Sequence, residues 1–291
     1  MRQGCAILLS AALALFVWNA TTAHAGEKVL TLENGVDASL NVPDGVANAP
    51  AVLMLHGFGS QKNEVGDMYA REARALADKG VASLRISFRG FGKSDGDTGS
   101  ATIDQMVGDA LSAGHYLAGL PGVDSHRLGI LGFSLGGGVT LIATAKEPDL
   151  FKSRVTWSSV GDFVAYFKGG LGQKAFDKAE GDGIVGLDLG WRTIALKKGF
   201  FDSLKSYSIK DAVPQFNGAY LAIAGGKDFS AAYVDEYVKL APAATKEAVI
   251  IPGADHIYEV LTKDQTDADH VITSPTVGEI ERPATLQPLA K

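Results

Sequence analysis

Ser134 is the residue of this sequence best placed to act as a nucleophile. It lies in the stretch LGILGFSLGGGVT, between an apolar segment typical of a buried strand and a segment with the composition of a helix. A serine on a sharp strand-to-helix turn is held above the edge of a sheet, and the small Gly132 and Gly136 relieve the crowding there. The same turn puts the backbone N–H of Leu135 at a helix N-terminus, where it can stabilise a developing oxyanion. Because the chain has 35 glycines, the G-x-S-x-G pattern alone is a weak signal and other residues must support it.

A serine hydroxyl needs a base to remove its proton and an acid to orient that base. His256 follows the predicted strand EAVIIPG, and Asp228 follows the strand before it, AYLAIAG. Both positions fit the chain order nucleophile, acid, base on a parallel sheet. The sequence therefore predicts that Ser134, Asp228 and His256 act together.

Other acids and histidines are placed less well. Asp162, after the strand RVTWSS, remains an alternative acid, whereas the side chain of Asp255 is expected to point away from the adjoining histidine. His115 and His126 precede the serine, and His270 lies in a tail without a strand to position it. The base is therefore expected to be the histidine of the GADH stretch.

A glycine-rich loop, HGFGS, follows the first predicted parallel strand, AVLMLHG. The backbone N–H of Phe58 is the candidate for a second oxyanion donor, and Gly57 and Gly59 allow a close approach to substrate. His56 is expected to brace this loop by hydrogen bonds rather than to transfer protons. The later stretch SFRGFGKSDGD lacks the pattern of a phosphate-binding loop, and its aspartates are too sparse for a calcium loop, so it predicts a structured turn and no metal site.

The predicted elements around these residues alternate between strands and helices. This alternation runs from AVLMLHG to EAVIIPG and indicates an α/β fold, with a mostly parallel sheet and helices on both faces. The stretch KVLTLENGVDASLNVP predicts an antiparallel N-terminal hairpin that turns at Asn34-Gly35. The rhythm breaks at about residues 161–217, where we expect a small inserted lid with two short helices, one of them over TIALKKGFFDSL. A further short helix is expected after His256.

Aromatic residues of the inserted segment are candidates for contact with a substrate. The candidates are Phe167, Trp191 and Phe200, together with Phe201. Large aromatic side chains are common in the walls of ligand pockets, although those in insertions more often serve packing.

The first 25 residues have the pattern of a secretory signal peptide. Arg2 precedes the apolar run AILLSAALALFV, and the small-residue site AHA predicts cleavage between Ala25 and Gly26. The run is shorter than the roughly 20 apolar residues that a membrane-spanning helix needs. The only cysteine, Cys5, would leave with this segment. A mature chain without it has no disulfide, thiolate metal site or cysteine nucleophile.

The expected mature protein is mildly acidic. Its net charge would change from −6 to −7 with the loss of Arg2, and no cluster of Lys and Arg is present. Nucleic acids and anionic membrane surfaces are therefore poor partners. We expect a secreted or periplasmic protein with one domain over residues 26–264 and a polar tail over residues 265–291.

The stretches HGFGSQKNE, FRGFGKSDG, GFSLGG, GGKD and GADH occur in the order and spacing of one known superfamily. On these motifs the chain resembles the α/β hydrolases from about Lys28 to Lys263. It is most similar to the feruloyl and cinnamoyl esterase-like group, which is related to dienelactone hydrolase. The stretch GLDLGWRTIALKKGFFDSL matches that group only loosely, so aromatic acyl specificity is an analogy.

The resemblance implies a serine hydrolase that acts on a small-molecule carboxylic ester without a metal or organic cofactor. Ser134 would attack the acyl carbon, His256 would shuttle the proton and Asp228 would orient His256. The N–H groups of Phe58 and Leu135 would bind the oxyanion. A thioesterase, a peptidase or an acyltransferase would use the same residues and stays open. A protein that keeps the fold and only binds a ligand also stays open.

Overall fold

The central feature of the structure, a computed structural model that describes residues 26–190 and 192–262, is an eight-stranded sheet. The strand order is β1-β2-β4-β3-β5-β6-β9-β10, and only β2 runs against its neighbours. Two further strands, β7 and β8, form a separate antiparallel hairpin. The strands are β1 (Gly26–Thr31), β2 (Asp37–Val42), β3 (Ala49–Leu55), β4 (Ala82–Ile86), β5 (Val123–Phe133), β6 (Ser153–Trp157), β7 (Ile184–Asp188), β8 (Thr193–Lys197), β9 (Ala219–Gly225) and β10 (Lys246–Ile251). The predicted α/β fold and the antiparallel N-terminal hairpin are confirmed.

Helices cover both faces of the sheet. They are α1 (Met68–Asp78), α2 (Ile103–Ala118), α3 (Leu135–Lys146), α4 (Phe163–Leu171), α5 (Gln173–Asp182), α6 (Lys198–Ser203), α7 (Ile209–Ala212) and α8 (Ala231–Leu240). Successive side chains of a strand point to opposite faces, so β3 sends Leu53 and Leu55 into the core beneath α2 and α3, and Val52 and Met54 into the core beneath α1. Burial on both sides explains why this strand is a continuous apolar run.

The inserted segment between β6 and β9 contains four helices and the β7–β8 hairpin. It is tied to the start of α2, where the Ser203 hydroxyl accepts the N–H of Ile103 at 3.0 Å. In the same region the Tyr207 hydroxyl donates to Asp104 at 2.8 Å. The role of this segment as a lid stays a prediction.

Two predicted helices are wrong. The first half of TIALKKGFFDSL is strand β8, because Ile194 and Leu196 are buried while Thr193, Ala195 and Lys197 are exposed, which is a strand period. The segment after His256 is a series of hydrogen-bonded turns. Tyr258 and Glu259 there have φ values of 56° and 57°, which a right-handed helix does not allow.

Several predictions concern residues outside the described part of the chain. They are the signal peptide over residues 1–25, Trp191 and the tail over residues 265–291. Within residues 26–190 and 192–262, none of the helices has the length and apolar character to cross a membrane.

Candidate active site

Ser134 occupies the turn between the last residue of β5 and the first residue of α3. Its φ of 52° and ψ of −116° are unusual for a residue other than glycine. The turn is held by its backbone, since Ser134 N donates to Trp157 O at 2.9 Å and Ser134 O accepts from Gly137 N and Val160 N, each at 3.0 Å. The predicted strand-to-helix turn is therefore present, and its backbone conformation does not depend on the serine hydroxyl.

The two flanking glycines are required by close backbone contacts. A Cβ on Gly132 would lie 2.2 Å from Gly136 O, and a Cβ on Gly136 would lie 2.1 Å from Leu55 O. Only residues without a side chain allow α3 to start this close to β3 and β5.

The Gly136→Ala variant is expected to lose about 3 kcal/mol of unfolding free energy, because neither the added Cβ nor the backbone of β3 can yield without a shift in the core. The matched control is Gly108→Ala in the exposed middle of α2, where nothing lies within 4 Å of an added Cβ. That variant should be as stable as the native protein or up to about 1 kcal/mol more stable. Urea unfolding of both variants makes the comparison, and equal stabilities would contradict the close packing of α3.

His256 and Asp228 lie at the same sheet edge, after β10 and β9. His256 Nε2 is 3.0 Å from Ser134 Oγ, and His256 Nδ1 is 3.0 Å from Asp228 Oδ1. The second carboxylate oxygen of Asp228 accepts a hydrogen bond from the Ser230 hydroxyl. The imidazole lies between the rings of Phe133 and Phe229, whose centroids are both 5.1 Å from its own. The structure thus brings the predicted nucleophile, base and acid into one hydrogen-bonded chain.

The carboxylate of Asp228 is held in its ionised form. Burial alone would raise the pKa of Asp228, but the hydrogen bond and charge of His256, together with the hydrogen bond from Ser230, outweigh burial and lower it. An acid with a depressed folded-state pKa stabilises the fold above its unfolded-state pKa. That contribution is lost as the pH falls through the folded-state value. At neutral pH the carboxylate of Asp228 can therefore accept a hydrogen bond from the Nδ1–H of His256. The unprotonated Nε2 is then free to accept a hydrogen bond from the Ser134 hydroxyl.

The competing acids and histidines have other roles. Asp162 accepts the N–H of Ala165 at 2.8 Å and caps α4. Asp255 accepts the N–H groups of Ile257 and Glu259 at 3.0 and 2.9 Å, so its side chain points away from His256 as expected. His115 pairs with Glu147 on the surface, His126 is exposed and His270 lies outside the described residues.

The HGFGS loop lies directly beside the serine. A Cβ on Gly57 would be 3.2 Å from Ser134 Cβ. His56 Nδ1 lies 2.7 Å from Gly57 O, and His56 Nε2 accepts the N–H of Phe88 at 3.0 Å. These partners place the ring proton on Nδ1. Burial lowers the pKa of His56 to about 4, with the Gly57 carbonyl opposing this effect and the Arg192 charge adding to it. A neutral His56 with a hydrogen bond at each ring nitrogen therefore braces the loop that carries Phe58.

The two predicted oxyanion donors flank the same space. Phe58 lies in this loop, and Leu135 is the first residue of α3, whose first N–H groups have no acceptor within the helix. Both belong to backbone beside Ser134, and Phe58 lines the same hollow as the serine. Their N–H groups stay the predicted donors to an oxyanion beside Ser134 Oγ.

One hollow borders the Ser134–His256 pair, and a second lies on the other side of Phe229, whose ring contacts His256. The serine hollow has a volume of about 410 Å³ and is lined by Phe58, Glu64, Phe133, Ser134, His256 and Leu261, among others. The insertion hollow has a volume of about 470 Å³ and is lined by residues that include Ala165, Tyr166, Phe229, Ala232 and Tyr233. Both volumes suit a small organic group.

Two of the aromatic residues proposed for substrate contact are buried instead. Phe167 and Phe200 are 1% and 0% exposed. Their ring centroids lie 4.9 and 5.8 Å from that of Phe58. They support the wall that Phe58 forms and do not line either hollow. Phe201 is also buried, and packs on Phe176 and Phe200.

Three residues at the site were missed by the sequence reasoning. Tyr166 lines the insertion hollow, and its hydroxyl interacts with the Ser134 side chain; burial raises the pKa of Tyr166, and this interaction opposes the rise. Phe229 stacks on His256 and is 44% exposed. Glu64 is a buried carboxylate in the wall of the serine hollow. Phe229 directly follows Asp228, and Glu64 is the last residue of the HGFGSQKNE stretch. Their closeness in sequence to the predicted site residues was the signal that could have identified them.

No metal centre is assembled by the described residues, since none of their His, Asp and Glu side chains form a group of three that could hold an ion.

Solved structures share this fold. The esterase Est1E from Butyrivibrio proteoclasticus, solved with bound ferulic acid, superposes with a TM-score of 0.70 at 22% identity, over 85% of this chain and 96% of Est1E. Dienelactone hydrolase from Anabaena variabilis gives a TM-score of 0.60 at 19% identity, over 87% of this chain and 96% of that enzyme. The predicted α/β-hydrolase fold is confirmed.

Curated relatives match parts of the sequence. An uncharacterised 31.7 kDa protein of Escherichia coli is 30% identical over 116 residues, which is 40% of each chain. Dipeptidyl aminopeptidase BIII of Pseudoxanthomonas mexicana is 32% identical over 128 residues, which is 42% of this chain and 18% of that enzyme. These alignments therefore span well under two thirds of the relatives' lengths.

The family model of the X-Pro dipeptidyl-peptidases (S15 family) matches residues 35–193. The matched region includes the HGFGS loop and Ser134 and ends before Asp228 and His256. Since this match spans more than half of the chain, the protein belongs to the X-Pro dipeptidyl-peptidase (S15) family, and it has the α/β-hydrolase fold.

Proposed function

We propose that the protein is a serine hydrolase that cleaves carboxylic esters through an acyl-serine intermediate. The observation that supports this most strongly is the chain of two 3.0 Å contacts from Ser134 Oγ through His256 to Asp228. A serine with a base and an orienting acid in reach is the arrangement by which a hydroxyl becomes a nucleophile near neutral pH.

In the acylation step, His256 Nε2 takes the proton of Ser134 as the hydroxyl oxygen attacks the ester carbonyl carbon. The carbonyl oxygen becomes an oxyanion, and the backbone N–H groups of Phe58 and Leu135 stabilise it. His256 then donates its proton to the leaving alkoxide, which departs as an alcohol. Asp228 keeps the imidazole oriented and stabilises its charged form throughout.

In the deacylation step, water takes the place of the alcohol. His256 removes a proton from the water as it attacks the acyl carbon of the serine ester. A second oxyanion forms in the same place, and its collapse releases the carboxylic acid and returns the proton to Ser134 Oγ.

The aromatic and aliphatic side chains that line much of the two hollows favour esters with apolar groups. The serine hollow is bordered by Phe58, Phe133 and Leu261, and the insertion hollow by Tyr166 and Phe229. Esters are also what the structural neighbours suggest, since one is an esterase with bound ferulic acid and another is a lactone hydrolase.

The second candidate is a dipeptidyl-peptidase that cleaves an amide after proline. The S15 family match and the similarity to dipeptidyl aminopeptidase BIII support it. The chemistry would use the same residues, because an amide also passes through an acyl-serine.

A substrate panel separates these candidates. We expect turnover of p-nitrophenyl butyrate and of methyl hydroxycinnamates at a kcat/KM at least about 100-fold above that for an X-Pro p-nitroanilide. A short-chain thioester and an alcohol acceptor in the same panel test thioesterase and acyltransferase activity. Preferential cleavage of the X-Pro anilide would replace the ester proposal with the peptidase, and no turnover of any member would contradict both.

A further inference from the structure

Glu64 is a buried carboxylate at the site that the proposed reaction does not use. It is 6% exposed and forms part of the wall of the serine hollow, together with Ser134 and His256. A buried acid is retained where its oxygens have partners. The partners of Glu64 are backbone groups of the loop beside the serine.

Both oxygens of the carboxylate accept backbone N–H groups. Gly57 N donates to Oε2 at 2.6 Å, and Val65 N donates to Oε1 at 2.8 Å. Burial raises the pKa of Glu64, while the hydrogen bonds from Gly57, Ser60 and Val65 and the charge of His256 oppose the rise. Donors alone surround the carboxylate, which is the environment that its ionised, acceptor-only form requires.

The backbone of Glu64 is bent to make these contacts. Its φ of 64° and ψ of 175° lie in a region that residues other than glycine rarely occupy. The bend turns the side chain back toward the preceding loop while Val65 continues into the turn before α1. The unusual backbone conformation of Glu64 therefore accompanies the hydrogen bond between its carboxylate and Gly57 N–H.

The contact between Glu64 and Gly57 matters because, together with a contact from His56, it fixes both peptide groups that flank Gly57. We call this pair of contacts a clamp. Glu64 holds the N–H of the His56–Gly57 peptide, and His56 Nδ1 lies 2.7 Å from the carbonyl of the Gly57–Phe58 peptide. In a trans peptide the N–H points opposite to the carbonyl. The contact of the Gly57 carbonyl with His56 therefore directs the N–H of Phe58 to the other side of the loop. The hydrogen bond from Gly57 N–H to Glu64 prevents the loop from rotating about the contact between His56 and the Gly57 carbonyl.

We propose that Glu64 is a positioning residue that, with His56, clamps Gly57 and thereby aims the Phe58 N–H at the oxyanion. This proposal rests on the serine hydrolase function proposed above. It predicts that Glu64 affects the transition states, in which the oxyanion exists, and not the binding of the uncharged ester.

The Glu64→Gln variant tests this. A glutamine has one acceptor oxygen, so its NH₂ group must face either Gly57 N–H or Val65 N–H and displaces one of them. We expect kcat for p-nitrophenyl butyrate to fall about 10- to 100-fold with KM within about twofold of the native value. The inhibition constant of an alkyl trifluoromethyl ketone, whose adduct with serine carries an oxyanion, should rise by the factor by which kcat/KM falls.

Two further variants keep the result interpretable. Glu64→Asp retains the charge but is one methylene shorter and cannot accept from both N–H groups, so it should also lose activity even if Glu64→Gln does not fold. Asp109→Asn is the matched control, because Asp109 is fully buried and accepts the N–H of Arg89 at 3.0 Å outside both hollows. The control should lose stability while keeping kcat and the ketone affinity.

Unchanged kcat and ketone affinity in folded Glu64→Gln and Glu64→Asp would overturn the role of Glu64 and leave the serine hydrolase intact. Equal losses in Asp109→Asn would also overturn it, because they would reflect a general effect of removing a buried charge. A native protein that forms no ketone adduct would overturn the serine hydrolase and the clamp together.

Discussion

Replacement of Ser134 by alanine is expected to lower kcat for ester hydrolysis by about 10⁶-fold, to the residual rate that oxyanion binding and substrate placement alone sustain. The change removes only the attacking oxygen. The fold should persist, because the turn is held by backbone bonds to Trp157, Gly137 and Val160. We expect the melting temperature to stay within about 2 °C of the native value. Steady-state hydrolysis of p-nitrophenyl butyrate and a thermal melt measure the two quantities.

The matched control for this variant is Ser159→Ala. Ser159 is a nearby serine whose hydroxyl donates to Val160 O at 3.0 Å. It should hydrolyse the ester at the native rate. Turnover that survives in Ser134→Ala would show that another group is the nucleophile.

Replacement of Asp228 by asparagine is expected to lower kcat by about 10⁴-fold. The carboxylate accepts a hydrogen bond from the Nδ1–H of His256 at 3.0 Å. An asparagine amide can instead donate to Nδ1, which would move the ring proton to Nε2, where it faces Ser134 and blocks proton transfer. The measurement is the pH profile of kcat, in which the loss should be greatest near neutral pH and smaller at high pH.

The control for the second prediction is Asp162→Asn, which also decides between the two acids left open by the sequence. Asparagine caps a helix as well as aspartate does, so the start of α4 should be kept. Asp162 lines the insertion hollow, so the comparison is made on kcat and not on KM, and we expect kcat to stay within about threefold of the native value. A large loss in Asp162→Asn together with a small loss in Asp228→Asn would assign the acid to Asp162.

The fold and the grouping of Ser134, Asp228 and His256 could be predicted because the sequence signals for them are local. Ser134 directly follows a strand, and Asp228 and His256 lie in the loops just after the next two strands of the site; each strand is recognisable from its own apolar run. Parallel strands bring their carboxyl ends to one edge of the sheet. The glycines around Ser134 added a local signal of a different kind, since a Cβ on Gly136 or Gly132 would lie only 2.1 or 2.2 Å from a backbone oxygen.

The parts that could not be predicted depend on contacts between distant segments. Residues Thr193–Lys197 form a strand because β7 pairs with them. Without knowledge of that pairing, these five residues and the helix α6 that follows them look like one continuous helix. Phe167 and Phe200 were expected at a pocket because they are aromatic, whereas the fold buries them behind Phe58. Glu64 had no expected role within the HGFGSQKNE stretch, and only the structure shows its carboxylate turned back to Gly57.

The most direct test of an activated Ser134 is mass spectrometry of the folded protein after reaction with a fluorophosphonate probe. The probe phosphonylates a serine only when a neighbouring base activates its hydroxyl. We expect a single adduct on the peptide that contains Ser134 and no adduct in the Ser134→Ala variant. A folded native protein without an adduct, or with the adduct on another residue, would contradict the proposed role of Ser134, His256 and Asp228.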